Sequence, residues 1–355
     1  MPKRKHESHS PSPRVLTLRA STLRQHYQRS APQGGVGTEP SGGQTAAEGP
    51  DDQWEKLKAR AHERLSQFRV TEECEKLQDC FTALLNWLPE GGRDAIAHDI
   101  LGSKSDKKLT ADFERICTRL LFPMKFCGRK RCEYTKDKHE PLDEDLAEYE
   151  SGIHQECLRR DGNRCVVTKT TSKGDSQIVL EPAYIIPWSF PSHNPPKDTG
   201  CISKMWTTLY RCFPAIESVL SSRINEVENS LTLLNSINRE FGEFRCALES
   251  IPDTPHTYKF VTFKDFPLEL KSSLSGQVKF KDTDQPTSQA GLPHPVLLDC
   301  HYRLAKIFYE SGMIDVIDED IRDLEELIAG HELDLDGDTD LGSVVEYAIW
   351  GSMTA

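Results

Sequence analysis

Apolar side chains recur every three or four positions behind Asp51 and Asp52. Trp54, Leu57, Ala61, Leu65 and Phe68 share one helical face, with the two aspartates placed as N-caps. The same spacing predicts a second helix from Thr71, carrying Leu77, Phe81, Leu84 and Leu88 and stopped by Pro89 and the Gly91-Gly92 pair. A third, over about Leu109 to Leu121, shows Phe113, Ile116 and Leu120 in line and ends at Pro123, whose ring and missing N–H oppose a continuing helix. A further helix leads through Leu146, Tyr149, Ile153 and Cys157 to Arg159-Arg160-Asp161-Gly162, where Asp-Gly marks a turn.

Beyond that turn the period shortens. Val166-Val167, Ile178 to Leu180 and Tyr184 to Ile186 are brief β-branched or aromatic runs between polar turn residues, the pattern of a hairpin. Residues 201 to 227 return to helix, and Asn235 to Phe241 forms one short helix. Phe244 to Leu248 and Tyr258 to Phe263 read as strands. Pro295 to Glu310 is a helix with Leu297, Leu298, Leu304, Ala305 and Phe308 inward, and an acidic helix follows to about Ala329. His301 sits among those apolar positions and reads as a core histidine rather than a ligand. The fold class is α+β: a small strand-containing core embedded in a mainly helical protein.

Composition sharpens the limits of this pattern. Residues 1 to 50 hold six Pro, six Gly and six Ser with Tyr27 as the sole aromatic, too little apolar surface to offset chain entropy, so a disordered arm is expected. Seven Lys and Arg in its first thirty residues face Glu7 alone, and Pro2-Lys3-Arg4-Lys5 resembles a short nuclear import signal. The apolar runs are far shorter than the roughly 20 residues of a membrane span, and no signal-peptide core follows Met1, so an intracellular protein, nuclear or cytoplasmic, with reduced thiols is expected. The eleven cysteines contain no C-x-x-C pair and read as buried thiols rather than a zinc ribbon. The expected organisation is the arm at 1–50, a helical region at 51–140, the strand-containing core at 141–265 and a helical, acidic region at 266–355.

The net charge of -12 would normally argue against a polyanionic partner. Its distribution weakens that objection, because twelve Asp and Glu against Arg322 lie between Ile314 and Leu341. Six basic residues between Lys125 and Lys138 form the kind of cluster that tracks phosphates. An acidic loop at Asp334 to Asp340 lacks the Gly and Glu that a calcium loop needs, having Thr339 and Val345 in their places.

Three segments carry a family resemblance. They are Arg159-Arg160-Asp161-Gly162-Asn163-Arg164-Cys165-Val166-Val167-Thr168, then Leu180-Glu181-Pro182-Ala183-Tyr184-Ile185-Ile186-Pro187-Trp188-Ser189, then Asn229-Ser230-Leu231-Thr232-Leu233. In order and separation they resemble the HNH-nuclease-like family of filamentous fungi, as does Pro293-His294-Pro295-Val296-Leu297-Leu298-Asp299-Cys300-His301 further on. The family pattern has a strand with Ala-His-Ile-Ile-Pro, an Asn-bearing strand, and a helix opening Leu-His-Arg-x-Phe-Asp. The resemblance implies a ββα-metal core that cuts phosphodiesters. In it the strand His is a general base, the Asn fixes the loop that aims it, and helix groups hold one divalent cation against the scissile phosphate.

Carried over position by position, this sequence keeps Asn229 but has Tyr184 at the base, Asn238 at the helix His and Gly242 at the helix Asp. A phenol with a reference pKa near 10 is only about one part in a thousand ionised at neutral pH, whereas an amide oxygen still suits a hard cation. Glu181, three residues before Tyr184 and so on the opposite strand face, is a candidate metal oxygen set against an ordinary surface carboxylate. His193 is a loop candidate for a substitute base. The candidate catalytic set is therefore Tyr184, Asn229 and Asn238, with Asn238 and Glu181 as metal ligands. Arg159, Arg160, Arg164 and Arg239 are the candidate nucleic-acid contacts.

The reading that follows is an HNH-endonuclease-fold protein with lost or severely reduced catalysis that still binds nucleic acid. Divalent metal (Mg²⁺, Mn²⁺ or Zn²⁺) is implied only if the remnant site remains competent. The rivals are an active metal-dependent endonuclease with a non-standard base and a protein-interaction scaffold that never meets nucleic acid; no membrane partner is expected.

Overall fold

The computed structural model describes residues 50–71, 74–134, 144–171, 178–187, 200–220, 227–280 and 291–329. The basic arm, the import-like tetrapeptide, His193 and the Asp334 to Asp340 loop lie outside the described residues.

Four helices open the fold: α1 (Pro50–Ser66), α2 (Leu77–Trp87), α3 (Glu90–Gly102) and α4 (Asp106–Ile116). The apolar stripes anticipated on α1, α2 and α4 are buried, among them Ala61, Leu77, Leu84 and Leu109 at 0% exposure. Two punctuation marks behave differently from expectation. Pro89 stops α2 at Trp87 as anticipated, with Leu88 extended before it, but Pro89 and Gly91-Gly92 do not end the helical run: they start α3, because Pro89 is its N-cap and an N-terminal turn needs few N–H donors. Gly92 is there for contact: a Cβ on it would lie 1.9 Å from the carbonyl oxygen of Cys212.

Pro123 likewise fails to terminate the chain's helix. A π-helical turn, Cys117–Leu121, widens the spiral so that the Phe122 N–H bonds back to the Cys117 carbonyl, and α5 (Phe122–Tyr134) follows with Pro123 in its first turn. The helical segment thus runs from Asp106 to Tyr134, and Phe122, Met124, Phe126 and Cys127 are core residues.

After α6 (Glu144–Arg160), Gly162 and Asn163 turn the chain at φ of 70° and 54°. The expected local hairpin gives way to a longer-range pair. Strand β1 (Leu180–Tyr184) pairs antiparallel with β2 (Ser230–Leu234), from Leu180 opposite Leu234 to Tyr184 opposite Ser230. The 166–167 run contributes a single ladder bond, Val166 N–H to the Thr232 carbonyl at 2.9 Å. Helices α7 (Gly200–Cys212) and α8 (Pro214–Leu220) lie between the two strands in sequence, and α9 (Asn235–Gly242) follows β2 directly, completing a ββα unit. A second antiparallel sheet holds β3 (Cys246–Ser250), β4 (Thr257–Thr262) and β5 (Gln277–Lys279), with the short α10 (Leu268–Lys271) between the last two.

Helix α11 (Pro295–Ser311) packs between α2 and β3, is capped by Gly312 in the left-handed region, and leads into α12 (Met313–Ala329). One apolar cluster runs from Trp54 to Ile321, so the ββα unit shares its core with the flanking helices. No helix among the described residues is long and apolar enough to cross a membrane.

Candidate functional site

The strand pair is held in register by side chains at its edges. Asn229, buried at 1% exposure, accepts from the Ile186 N–H through Oδ1 and donates to the Ile186 carbonyl through Nδ2, both at 2.9 Å. Its own carbonyl accepts from the Ile185 N–H at 2.8 Å. One amide thus copies a backbone ladder step and fixes the chain just past Tyr184.

Arg160 is placed otherwise than a nucleic-acid contact. Its guanidinium is buried and makes a two-pronged pair with Asp161, 2.8 Å on each arm, while donating to the carbonyls of Val227 at 2.7 Å and Ser230 at 2.9 Å. Asp161 in turn accepts from the Thr232 N–H at 2.8 Å. A planar fork suits this geometry, and the pair locks α6 to the start of β2. Arg159, Arg164 and Arg239 are exposed.

Tyr184 and Asn238 line one cavity, with Gly242, Cys127, Gly128, Ile185, Pro187, Phe244 and His301. The Tyr184 ring also packs with Ile153, Cys157 and Val227 against α6. Asn229 does not line the cavity and acts on its wall through Ile186.

Glu181 is buried rather than on the surface, because α9 lies across β1. Its carboxylate accepts from Asn235 Nδ2 at 2.9 Å and Asn238 Nδ2 at 3.0 Å. A carboxylate only accepts, so this bond assigns the Asn238 NH₂ to Glu181 and turns its Oδ1 to the other side. Glu181 therefore orients Asn238 and is not one of the cavity residues.

Three lining residues escape sequence reasoning: Cys127 and Gly128 from α5, and His301 from α11. Gly128 lets α5 rest on α9 at Gly242; a Cβ on Gly128 would be 2.2 Å from the Gly242 carbonyl oxygen. Its signal in the sequence was a glycine inside a basic helical run. His301 is stacked on Phe241 with ring centroids 3.9 Å apart and on Phe244 at 4.5 Å. Its Nε2 lies 3.0 Å from the Phe241 carbonyl, which fixes Nε2 as the protonated nitrogen, while the buried Nδ1 has no hydrogen-bond partner among the described residues. Burial pushes this imidazole down to about 3, against the small upward pull of that carbonyl, so it is neutral at ordinary pH.

Basic and acidic groups meet beside the cavity. Lys125, fully buried, donates to the Glu243 carbonyl at 2.7 Å and carboxylate at 2.8 Å and lies 3.2 Å from Asp318 of α12. Arg129 reaches Glu325 of α12 at 3.1 Å and stands within 4 Å of Glu243 and Asp318. Burial raises the Glu243 carboxyl, but Lys125, with Arg245 and Arg129, holds it below the ordinary range. Two members of the anticipated Lys125 to Lys138 cluster are thus committed inside the protein.

The cavity measures about 20 Å³, which is room for about one water molecule. The lining supplies, among the described residues, an amide, an imidazole, a phenol and a thiol but no carboxylate, and Gly242 brings no side chain. Among the described residues no group of three or more His, Cys, Asp or Glu is placed to hold a metal. The residues present do not fit the hard divalent cation of a phosphodiester-cutting site.

Against known families, a family model for HNH endonuclease matches residues 165–249, the stretch that carries β1, β2 and α9. No curated protein and no solved structure matches the chain.

Proposed function

We propose that the HNH endonuclease-family domain at residues 165–249 retains the ββα scaffold of a nuclease without its catalysis, and serves as a nucleic-acid-binding module. The observation that carries this reading is the lining of the site. Where the family's chemistry needs metal ligands, α5 rests on Gly242, and no carboxylate is among the described lining residues. The positions of base and ligand hold Tyr184, Asn238 and Gly242, and missing both a general base and a metal clamp removes separate contributions that compound.

Among the described residues, the imidazole at the cavity is His301. Its basicity is depressed to about 3 and both ring faces are covered by Phe241 and Phe244, which favours the silent reading. Nucleic-acid binding rests on the family match and on the exposed Arg159, Arg164 and Arg239. The deciding experiment incubates purified protein with plasmid, single-stranded DNA and RNA in Mg²⁺, Mn²⁺ or Zn²⁺. No cleavage above background is expected. Chelator-sensitive nicking that disappears in Asn229→Ala would overturn the reading.

A further inference from the structure

The C-terminal helix presents an unusual pairing of burial and charge. Helix α12 carries seven Asp and Glu against Arg322, and its inner stripe, Ile314, Ile317 and Ile321, is buried at 4% exposure or less. The apolar stripe explains why the helix docks. It does not explain where the acid points. Asp318 and Glu325, spaced seven apart and so on one helical face, are directed at α5, where they meet Lys125 and Arg129. Lys125 has no exposed surface, so no phosphate reaches it while α12 is seated. The same two cations flank Gly128, the residue by which α5 closes the HNH cavity.

We propose that α12 is an intramolecular polyanion mimic, its carboxylates occupying the α5 cations beside the HNH cavity so that docking of α12 and binding of a nucleic-acid backbone there exclude one another. This rests on the reading of the domain as a nucleic-acid binder. Carboxylates spaced along a helix present to Lys and Arg the charge that successive phosphates would, and the contest between them depends on ionic strength. Glu243 remains with Lys125 when α12 leaves, which limits the cost of undocking to the Asp318 and Glu325 contacts and the isoleucine stripe.

The test uses the full chain with Asp318→Asn and Glu325→Gln, leaving the isoleucines intact. Glu325→Gln alone serves as the milder variant if the pair fails to fold, since Glu325 is about one quarter exposed. Two quantities are read. The first is alkylation of Cys117 by peptide mass spectrometry; this buried thiol lies near Asp320 of α12, and Cys212 and Cys246 are internal controls for global opening. The second is the salt-titrated affinity for a fluorescent 20-mer duplex. The expected result is faster Cys117 labelling with the controls unchanged, together with roughly tenfold tighter binding at low salt. Unchanged affinity in a variant that binds as the wild type does would sink the mimic and leave nucleic-acid binding standing. Control cysteines rising in step with Cys117 would make the network a matter of global stability and also overturn the mimic. Absence of binding by both proteins at low salt would remove the binding reading itself and this inference with it.

Discussion

Asn229 shows how one side chain can matter more to a site than the residues that line it. Replacing it by alanine leaves the Ile186 N–H and carbonyl unpaired in a buried place, a cost of about 2–4 kcal/mol, and should let the strand end past Tyr184 fray. A lowered denaturation midpoint, with increased hydrogen exchange at Ile185 and Ile186, would check this. Gly128→Ala forces a methyl group to 2.2 Å from the Gly242 carbonyl. The expected loss is about 1–3 kcal/mol from overpacking, read by thermal unfolding. Arg160→Ala should cost more, roughly 3–5 kcal/mol, because Asp161 is left as a buried unpaired charge. The residues most legible in the sequence were those whose chemistry the family pattern names, Tyr184, Asn229 and Asn238. Glu181 was seen but misjudged in burial, since a strand's alternation tells which face a side chain takes and not what helix covers that face, whereas His301 was rightly read as a core residue but not placed at the cavity.

At the scale of elements, periodicity located α1, α6, α9, α11 and α12 well, because each buries one stripe, α6 against Tyr184 and Val227 and the others on the shared core. It stopped α2 correctly at Pro89 but missed α3 beyond it, and it failed at Pro123, where local chemistry permits a helix to begin, and at the β1–β2 pair, whose partners are too far apart in sequence for a local pattern to reveal. Helix α12 makes a pH prediction. Asp320 is buried, and this burial, with Asp323 and Glu319 beside it, raises its carboxyl to about 7. A folded-state value above the unfolded one means that protonation stabilises the fold. That stability is full below about pH 4 and lost as pH rises towards 7, a span worth on the order of a few kcal/mol. Glu243 runs the other way, its depressed value adding stability that disappears on acidification. Asp320→Asn should therefore flatten the neutral limb of the stability profile while leaving the acid limb, as measured by chemical denaturation from pH 4 to 8.

For the molecule as a whole, the shared core ties the HNH segment to helices before and after it. Residues 165–249 expressed alone would lose α5, α6 and α11 from their faces and should not fold, which circular dichroism would show. The cavity also argues against easy reactivation. The triple change Tyr184→His, Asn238→His and Gly242→Asp restores the family's side chains but adds a carboxylate where α5 rests closely on Gly242. Lower stability without metal-dependent nicking is expected, in a melting curve and a plasmid assay run together.

The order in which the chain is made gives the α12 contact another consequence. When α9 has been synthesised, about 75 residues still separate Gly242 from Asp318, and a ribosome adding 5–20 residues each second takes roughly 4–15 s to supply them. Through that interval β1, β2, α9 and α5 have been made while Lys125 still lacks Asp318, and for most of it His301 is absent from its place beside Phe241. The nascent chain therefore passes through a stage in which its α5 cations have Glu243 but not yet the carboxylates of α12, on a particle made largely of RNA.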